Sequence, residues 1–246
     1  MSNPDVHRSQ ALAKLPAEGQ PELLFLLLHG AGADAAQMRP LAHALHTLYP
    51  QAAVLSLNGP EPYDQMPGGV DLHQGWQWYS LAGANDDNHA GRINAVLPDF
   101  IATVRSWAAQ FDLPWQRVAL AGFSQGAVLA LEAVQQEVEL AGRVLAFSGA
   151  YATMPGHAPP QVSVHILHGQ LDGVLPYQDQ IAAARRLVQL GGDVTADVLP
   201  DIGHELHEAL IARAMEQLQT FVPARVWREA MQAAQAQGLA DKEEND

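Results

Sequence analysis

No cysteine occurs among the 246 residues. That absence excludes disulfide frameworks, Cys-ligated zinc, iron–sulfur clusters and any thiol nucleophile. Basic residues are scarce as well: 13 Lys and Arg face 27 Asp and Glu, for a formal charge of −14. No Lys/Arg run could neutralise a row of phosphates, so no nucleic-acid partner is expected, and an anionic membrane surface is disfavoured on the same ground. Long hydrophobic runs are also missing, since the longest, Leu23 to Leu28, is far too short to span a bilayer. Met1 to Gln10 is polar and lacks the cationic start and apolar stretch of a secretory signal. The expectation is a soluble, cytoplasmic protein without a membrane partner.

What is present is rhythm. Short apolar runs recur at Leu23–Leu28, Ala53–Leu57, Arg117–Ala121, Arg143–Phe147, Val162–Leu167 and Val194–Leu199. Each is too brief for a helix, and most are bounded by Gly, Pro or Asn, so they are read as strands. Between them lie segments of helical period, about Ala35–Leu48, Arg92–Gln110, Gln125–Gln136, Tyr177–Leu190 and Glu205–Thr220. Strand followed by helix, repeated, predicts a doubly wound α/β fold; strands apolar throughout predict a mostly parallel sheet with helices on both faces. Two stretches depart from the rhythm: the long connection Asn58–Gly91 and the acidic end Asp241–Asp246.

The sharpest local signal is Gly122-Phe123-Ser124-Gln125-Gly126, which closes one strand and opens the next helix. A Gly-x-Ser-x-Gly pentapeptide in that setting is the pattern of a nucleophile elbow, where a strained serine is exposed and flanking glycines let strand and helix approach. A serine hydroxyl is a poor nucleophile at neutral pH, so it needs a base and an acid that holds the base. Asp172 lies just beyond the strand Val162–Leu167, and His204 just beyond Val194–Leu199. The chain order Ser, Asp, His is that of α/β hydrolases. Asp201 is the rival acid, but it lies three residues from His204 and would have to fold back onto it. His207 and His168 are read as structural. The N–H of Gln125, next after the serine, would be one oxyanion donor; the loop His29-Gly30-Ala31-Gly32-Ala33-Asp34 would supply a second. His29 itself is read as a buried polar plug. His204-Glu205-Leu206-His207 lacks the spacing of a zinc protease, and no phosphate-cradling glycine pattern occurs, so neither a metal nor a cofactor is expected.

Taken together, Leu28-His29-Gly30-Ala31-Gly32-Ala33-Asp34, Gly122-Phe123-Ser124-Gln125-Gly126-Ala127, His168-Gly169-Gln170-Leu171-Asp172 and Gly203-His204 resemble the phospholipase/carboxylesterase family of α/β hydrolases. The resemblance runs from about Leu23 to Val222. It implies an α/β-hydrolase fold over 21–222, and the short, Pro-containing loop between Arg143–Phe147 and Val162 leaves no room for a large cap domain. An N-terminal extension (1–20) precedes that domain; residues 223–246 have no clear family counterpart and are read as a C-terminal helix and acidic tail, with Val226, Trp227 and Met231 at helical spacing. The resemblance also implies a Ser124/Asp172/His204 triad, oxyanion amides from Ala31 and Gln125, no cofactor, and a small-molecule ester as substrate; some members are homodimers. The family commonly carries an aromatic-aromatic-Asp ahead of its first long helix, where this chain has Gly75-Trp76-Gln77-Trp78-Tyr79-Ser80, with serine at the acid position. Trp76, Trp78 and Tyr79 are read as walls of an acyl pocket, with packing beneath the long connection as the alternative. The predicted activity is hydrolysis of short or medium acyl esters through an acyl-enzyme. Acyl-protein thioesterase or lysophospholipase activity through the same triad is the near alternative, and a non-catalytic binding protein on the same fold is the distant one.

Overall fold

The computed structural model describes residues 12–64 and 75–243. Parts of the N-terminal extension, the long connection and the acidic tail therefore lie outside the described residues. The apolar runs pair into a seven-stranded sheet of β1 (Leu12–Lys14), β2 (Leu23–Leu28), β3 (Ala52–Leu57), β6 (Val118–Phe123), β7 (Arg143–Phe147), β8 (Ser163–Gly169) and β9 (Asp193–Leu199), in the spatial order β1-β3-β2-β6-β7-β8-β9. All neighbours are parallel except β1, which runs antiparallel along β3. Two residues each form β4 (Glu61–Pro62) and β5 (Trp76–Gln77), which pair antiparallel with one another.

Side chains alternate across a strand, and here both faces are covered. Leu24, Leu26 and Leu28 pack with Leu120, Val144 and Ile166 beneath α2 (His89–Gln110) and α3 (Gln125–Gln136). Phe25 and Leu27 pack on the other face with Ala121, Leu145 and Phe147 beneath α1 (Arg39–Leu48) and α5 (Glu208–Thr220). Helix α4 (Tyr177–Gln189) lies along β9, and α6 (Ala224–Glu243) is pinned at its start by Asp193, which accepts the Ala224 N–H at 2.7 Å and pairs with Arg225. Among the described residues no helix is long and apolar enough to cross a membrane.

Two boundaries differ from the sequence reading. Leu12–Lys14, inside the stretch read as an extension, joins the sheet as its edge strand. Its residues are exposed, so only backbone pairing defines it. The helix expected from Glu205 begins at Glu208, because the His207 side chain caps it by accepting the Ala209 N–H at 3.1 Å. No cap domain stands above the sheet among the described residues, and the connection from β7 to β8, residues 148–162, holds no helix.

Chain order reverses at β2, which has β3 on one side and β6 on the other. Ligands of open α/β sheets bind in the crevice beyond the carboxyl ends of the strands at such a switch point. Leu28 is in register with Gly122 there, so the loop after β2 and the turn after β6 leave the sheet side by side.

Candidate active site

Ser124 occupies the sharp turn between β6 and α3 with φ 52° and ψ −117°, a conformation L-residues rarely adopt. Its N–H donates to the Phe147 carbonyl at 2.9 Å, which ties the turn to the end of β7. The elbow closes only because Gly126 has no side chain: a Cβ there would stand 2.3 Å from the Leu28 carbonyl oxygen. Strain at the serine is thus held by packing against β2.

The loops beyond β8 and β9 bring the other two residues to it. His204 Nε2 lies 2.9 Å from Ser124 Oγ, and His204 Nδ1 lies 2.8 Å from Asp172 Oδ2. With Nδ1–H donating to the carboxylate, Nε2 presents a lone pair to the serine hydroxyl, the arrangement that proton abstraction needs. Asp172 Oδ1 also accepts the N–H groups of Val174 and Leu175, both at 2.9 Å. Burial alone would raise this carboxyl, but the donations from Leu175, His204 and Val174 outweigh it and hold its pKa below the ordinary value. Asp201, the rival acid, stands exposed.

A second imidazole touches the same carboxylate. His168, fully buried at the end of β8, sets Nε2 at 2.9 Å from the Leu175 carbonyl and 3.1 Å from Asp172 Oδ2. Burial lowers its pKa against the smaller opposing pull of the Leu175 carbonyl and Asp172, so the ring is neutral and Nε2–H is shared between two acceptors.

The loop after β2 lies against the elbow, with a Cβ built on Gly30 falling 3.4 Å from Ser124 Cβ. Backbone N–H groups of Ala31 and Gln125 make no hydrogen bond among the described residues, whereas those of Gly30 and Gly32 do. Gly30 N–H donates to Gln37 Oε1 at 2.8 Å, and Gly32 N–H donates to the Trp76 carbonyl at 2.9 Å. Gln125 directly follows the serine as the first residue of α3, whose positive end favours a developing anion, and Ala31 lies between Gly30 and Gly32 in the loop apposed to the elbow. His29, completely buried, donates from Nδ1 to the Gly30 carbonyl at 2.7 Å and accepts the Gly59 N–H on Nε2 at 2.9 Å. Its desolvation lowers its pKa and keeps it neutral in that role.

Of the three aromatics read as pocket walls, Trp78 and Tyr79 are each 3% exposed and belong to the core beneath α2 and α3. Trp78 borders a cavity of about 220 Å³ with Val96, Phe100, Thr103 and Leu129, while Trp76 is half-buried on β5. The sequence carried no signal for Gln37 or for a role of the Gln125 side chain. His168 had one, its place four residues before Asp172 in the same strand-end motif.

Three comparisons bear on this arrangement. A family model described as Phospholipase/Carboxylesterase matches residues 15–224. The esterase YpfH of Escherichia coli K12 is 36% identical over 208 residues, covering 85% of this chain and 87% of that protein. Among solved structures, esterase PE8 superposes with a TM-score of 0.76 at 24% identity, over 87% of this chain and 99% of that one. The Bacillus cereus carboxylesterase superposes at 0.69 with 18% identity, over 86% and 94%.

Proposed function

The chain belongs to the phospholipase/carboxylesterase family of α/β hydrolases, and on that premise we propose that it hydrolyses carboxylic esters through a serine acyl-enzyme. Ser124 is the nucleophile, His204 the general base and then acid, and Asp172 the group that orients His204 and stabilises its imidazolium. The observation that carries this reading is the unbroken chain from Ser124 Oγ to His204 Nε2 at 2.9 Å and from His204 Nδ1 to Asp172 Oδ2 at 2.8 Å.

Oγ attacks the ester carbonyl as His204 takes its proton, and the carbonyl electrons move onto the oxygen. The oxyanion is received by the open amides of Ala31 and Gln125, a kind of donation worth roughly 3–4 kcal/mol per donor in acyl transfer. Collapse expels the alcohol with the proton from His204. Water then repeats the sequence on the acyl-enzyme and releases the acid. Among the described residues no cap stands over the sheet end, and the His204 side chain is 18% exposed, which supports accessible, short to medium acyl esters as substrates.

The test is turnover of p-nitrophenyl esters from acetate to palmitate, with EDTA present, by the wild type and by a folded Ser124→Ala protein. Wild-type turnover with loss of activity in the variant is the expected result, and the chain-length optimum then narrows the substrate. Equal turnover by both proteins would overturn the assignment of Ser124. Acyl-CoA and lysophospholipid run alongside separate thioesterase and lysophospholipase activity from esterase activity.

A further inference from the structure

The two amides assigned to the oxyanion come from loops about 94 residues apart in sequence, and sheet register alone does not fix the distance between them. One segment touches both. Trp76 pairs with Ala33 as an antiparallel bridge: its N–H donates to the Ala33 carbonyl at 2.7 Å, and its carbonyl accepts the Gly32 N–H at 2.9 Å. Two residues on, the Trp78 indole N–H donates to the His29 carbonyl at 2.9 Å. Those contacts grip the loop bearing Ala31 from both sides. The segment approaches so closely that Gly75, at φ +101°, could carry no side chain: a Cβ would stand 2.0 Å from the Gly32 carbonyl oxygen.

The other end of the segment grips the elbow. The Trp78 backbone N–H donates to Gln125 Oε1 at 2.9 Å, and Gln125 Nε2 donates to the Tyr79 carbonyl at 2.7 Å. Gln125 is 4% exposed, and a buried primary amide is the side chain that satisfies one backbone donor and one backbone acceptor at once. Packing reinforces the hydrogen bonds, with the Trp78 ring 5.4 Å from His29 and edge-on to Phe100 at 5.9 Å.

We propose that the side chains of Gln125 and Trp78 are positioning residues that yoke the two oxyanion amides through the segment Gly75–Tyr79. The role of Gln125 is thereby double: its backbone N–H meets the oxyanion, and its side chain sets where the opposing loop stands. Catalysis by preformed donors requires placement within a few tenths of an ångström, so loosening this yoke lowers the rate of the chemical step without removing a donor. The inference rests on the Ser124 acyl-enzyme reading and extends it.

Trp78→Phe removes the indole donor and keeps a ring; Gln125→Met removes both amide contacts and keeps the volume. For each, kcat and KM are measured on acetate, butyrate and octanoate esters, together with the rate of Ser124 phosphonylation by a fluorophosphonate and the melting temperature. The expected result is a kcat lower by roughly 10- to 100-fold, below the loss for deleting a donor outright. KM should stay within about threefold, the loss should be equal at every chain length, and phosphonylation should slow in step. Folded variants with wild-type kcat would overturn the yoke, as would a loss confined to KM or to one chain length, which would make Trp78 a substrate wall. Should a variant fail to fold, hydrogen exchange on the wild type decides: the amides of Gly32, Trp76 and Trp78 should be protected together, and rapid exchange at Trp76 and Trp78 would overturn it. Ser124→Ala in the same series separates the two readings, since an active Ser124→Ala protein defeats the nucleophile assignment, whereas an inactive one beside unaffected Trp78 and Gln125 variants defeats the yoke alone.

Discussion

The proposed triad and the proposed oxyanion loop meet at Ser124 but are held there differently. Ser124, Asp172 and His204 stand within a few residues of the ends of β6, β8 and β9, and the sheet register that aligns those ends carries the side chains with it. Ala31 stands beyond β2 on a loop held by side chains and by backbone from elsewhere: Gln37, Gly59, Trp76 and Trp78. One half of the site is thus insulated by secondary structure, while the other inherits its geometry from remote contacts. Substitutions in the first half should abolish a step; substitutions around the second should grade it.

The largest effect that sharpens the contrast, after loss of the nucleophile itself, is Asp172→Asn. The amide keeps the shape of the carboxylate but favours the wrong tautomer of His204, so kcat should fall by roughly 10⁴-fold with KM little changed. A loss of tenfold or less would place Asp172 outside the triad. Next comes His168→Phe, which removes the shared Nε2–H donation to Asp172 and the Leu175 carbonyl. A kcat lower by about tenfold is expected from the loss of one buried hydrogen-bonding group. A loss as large as that of Asp172→Asn would mean that His168 belongs to the triad machinery.

The remaining effect is read in stability and not in rate. His29, His165 and His168 are buried with pKa values lowered chiefly by desolvation, that of His165 to about 3. The fold favours their neutral forms, while the unfolded chain takes up protons below about pH 6.5. Their contribution is therefore complete above that pH and is lost as pH falls toward the folded values, at up to about 1.4 kcal/mol per pH unit for each ring. Urea midpoints should be flat above pH 7 and drop between pH 6.5 and 4.5; a flat profile over that lower range would contradict the burial of these rings as neutral species.

Legibility in the sequence followed the same division. The strands Leu23–Leu28 and Arg143–Phe147 and the helix Gln125–Gln136 are readable because continuous apolar runs and helical periodicity report burial directly. Ser124, Asp172 and His204 are readable as candidates because each lies at a strand end inside a short motif. The exposed edge strand Leu12–Lys14 and the two-residue strands Glu61–Pro62 and Trp76–Gln77 are not, since backbone pairing with distant partners defines them and no side-chain pattern records it. The contacts of Gln125 and Trp78 were illegible for the same reason, because each spans more than 40 residues and ends on a backbone atom. Aromatics in a long connection suggested a pocket wall; the indole N–H bound to the His29 carbonyl is visible only in three dimensions.

The most direct test of the central claim is a rapid-mix reaction with p-nitrophenyl butyrate, quenched in acid and mapped by peptide mass spectrometry. A burst of p-nitrophenol close to one equivalent per active site is expected whenever deacylation is the slower step, with a butyryl group on the peptide that contains Ser124. Steady turnover with no acyl group on Ser124 at any quench time, in a protein whose Ser124→Ala variant turns over equally, would contradict it.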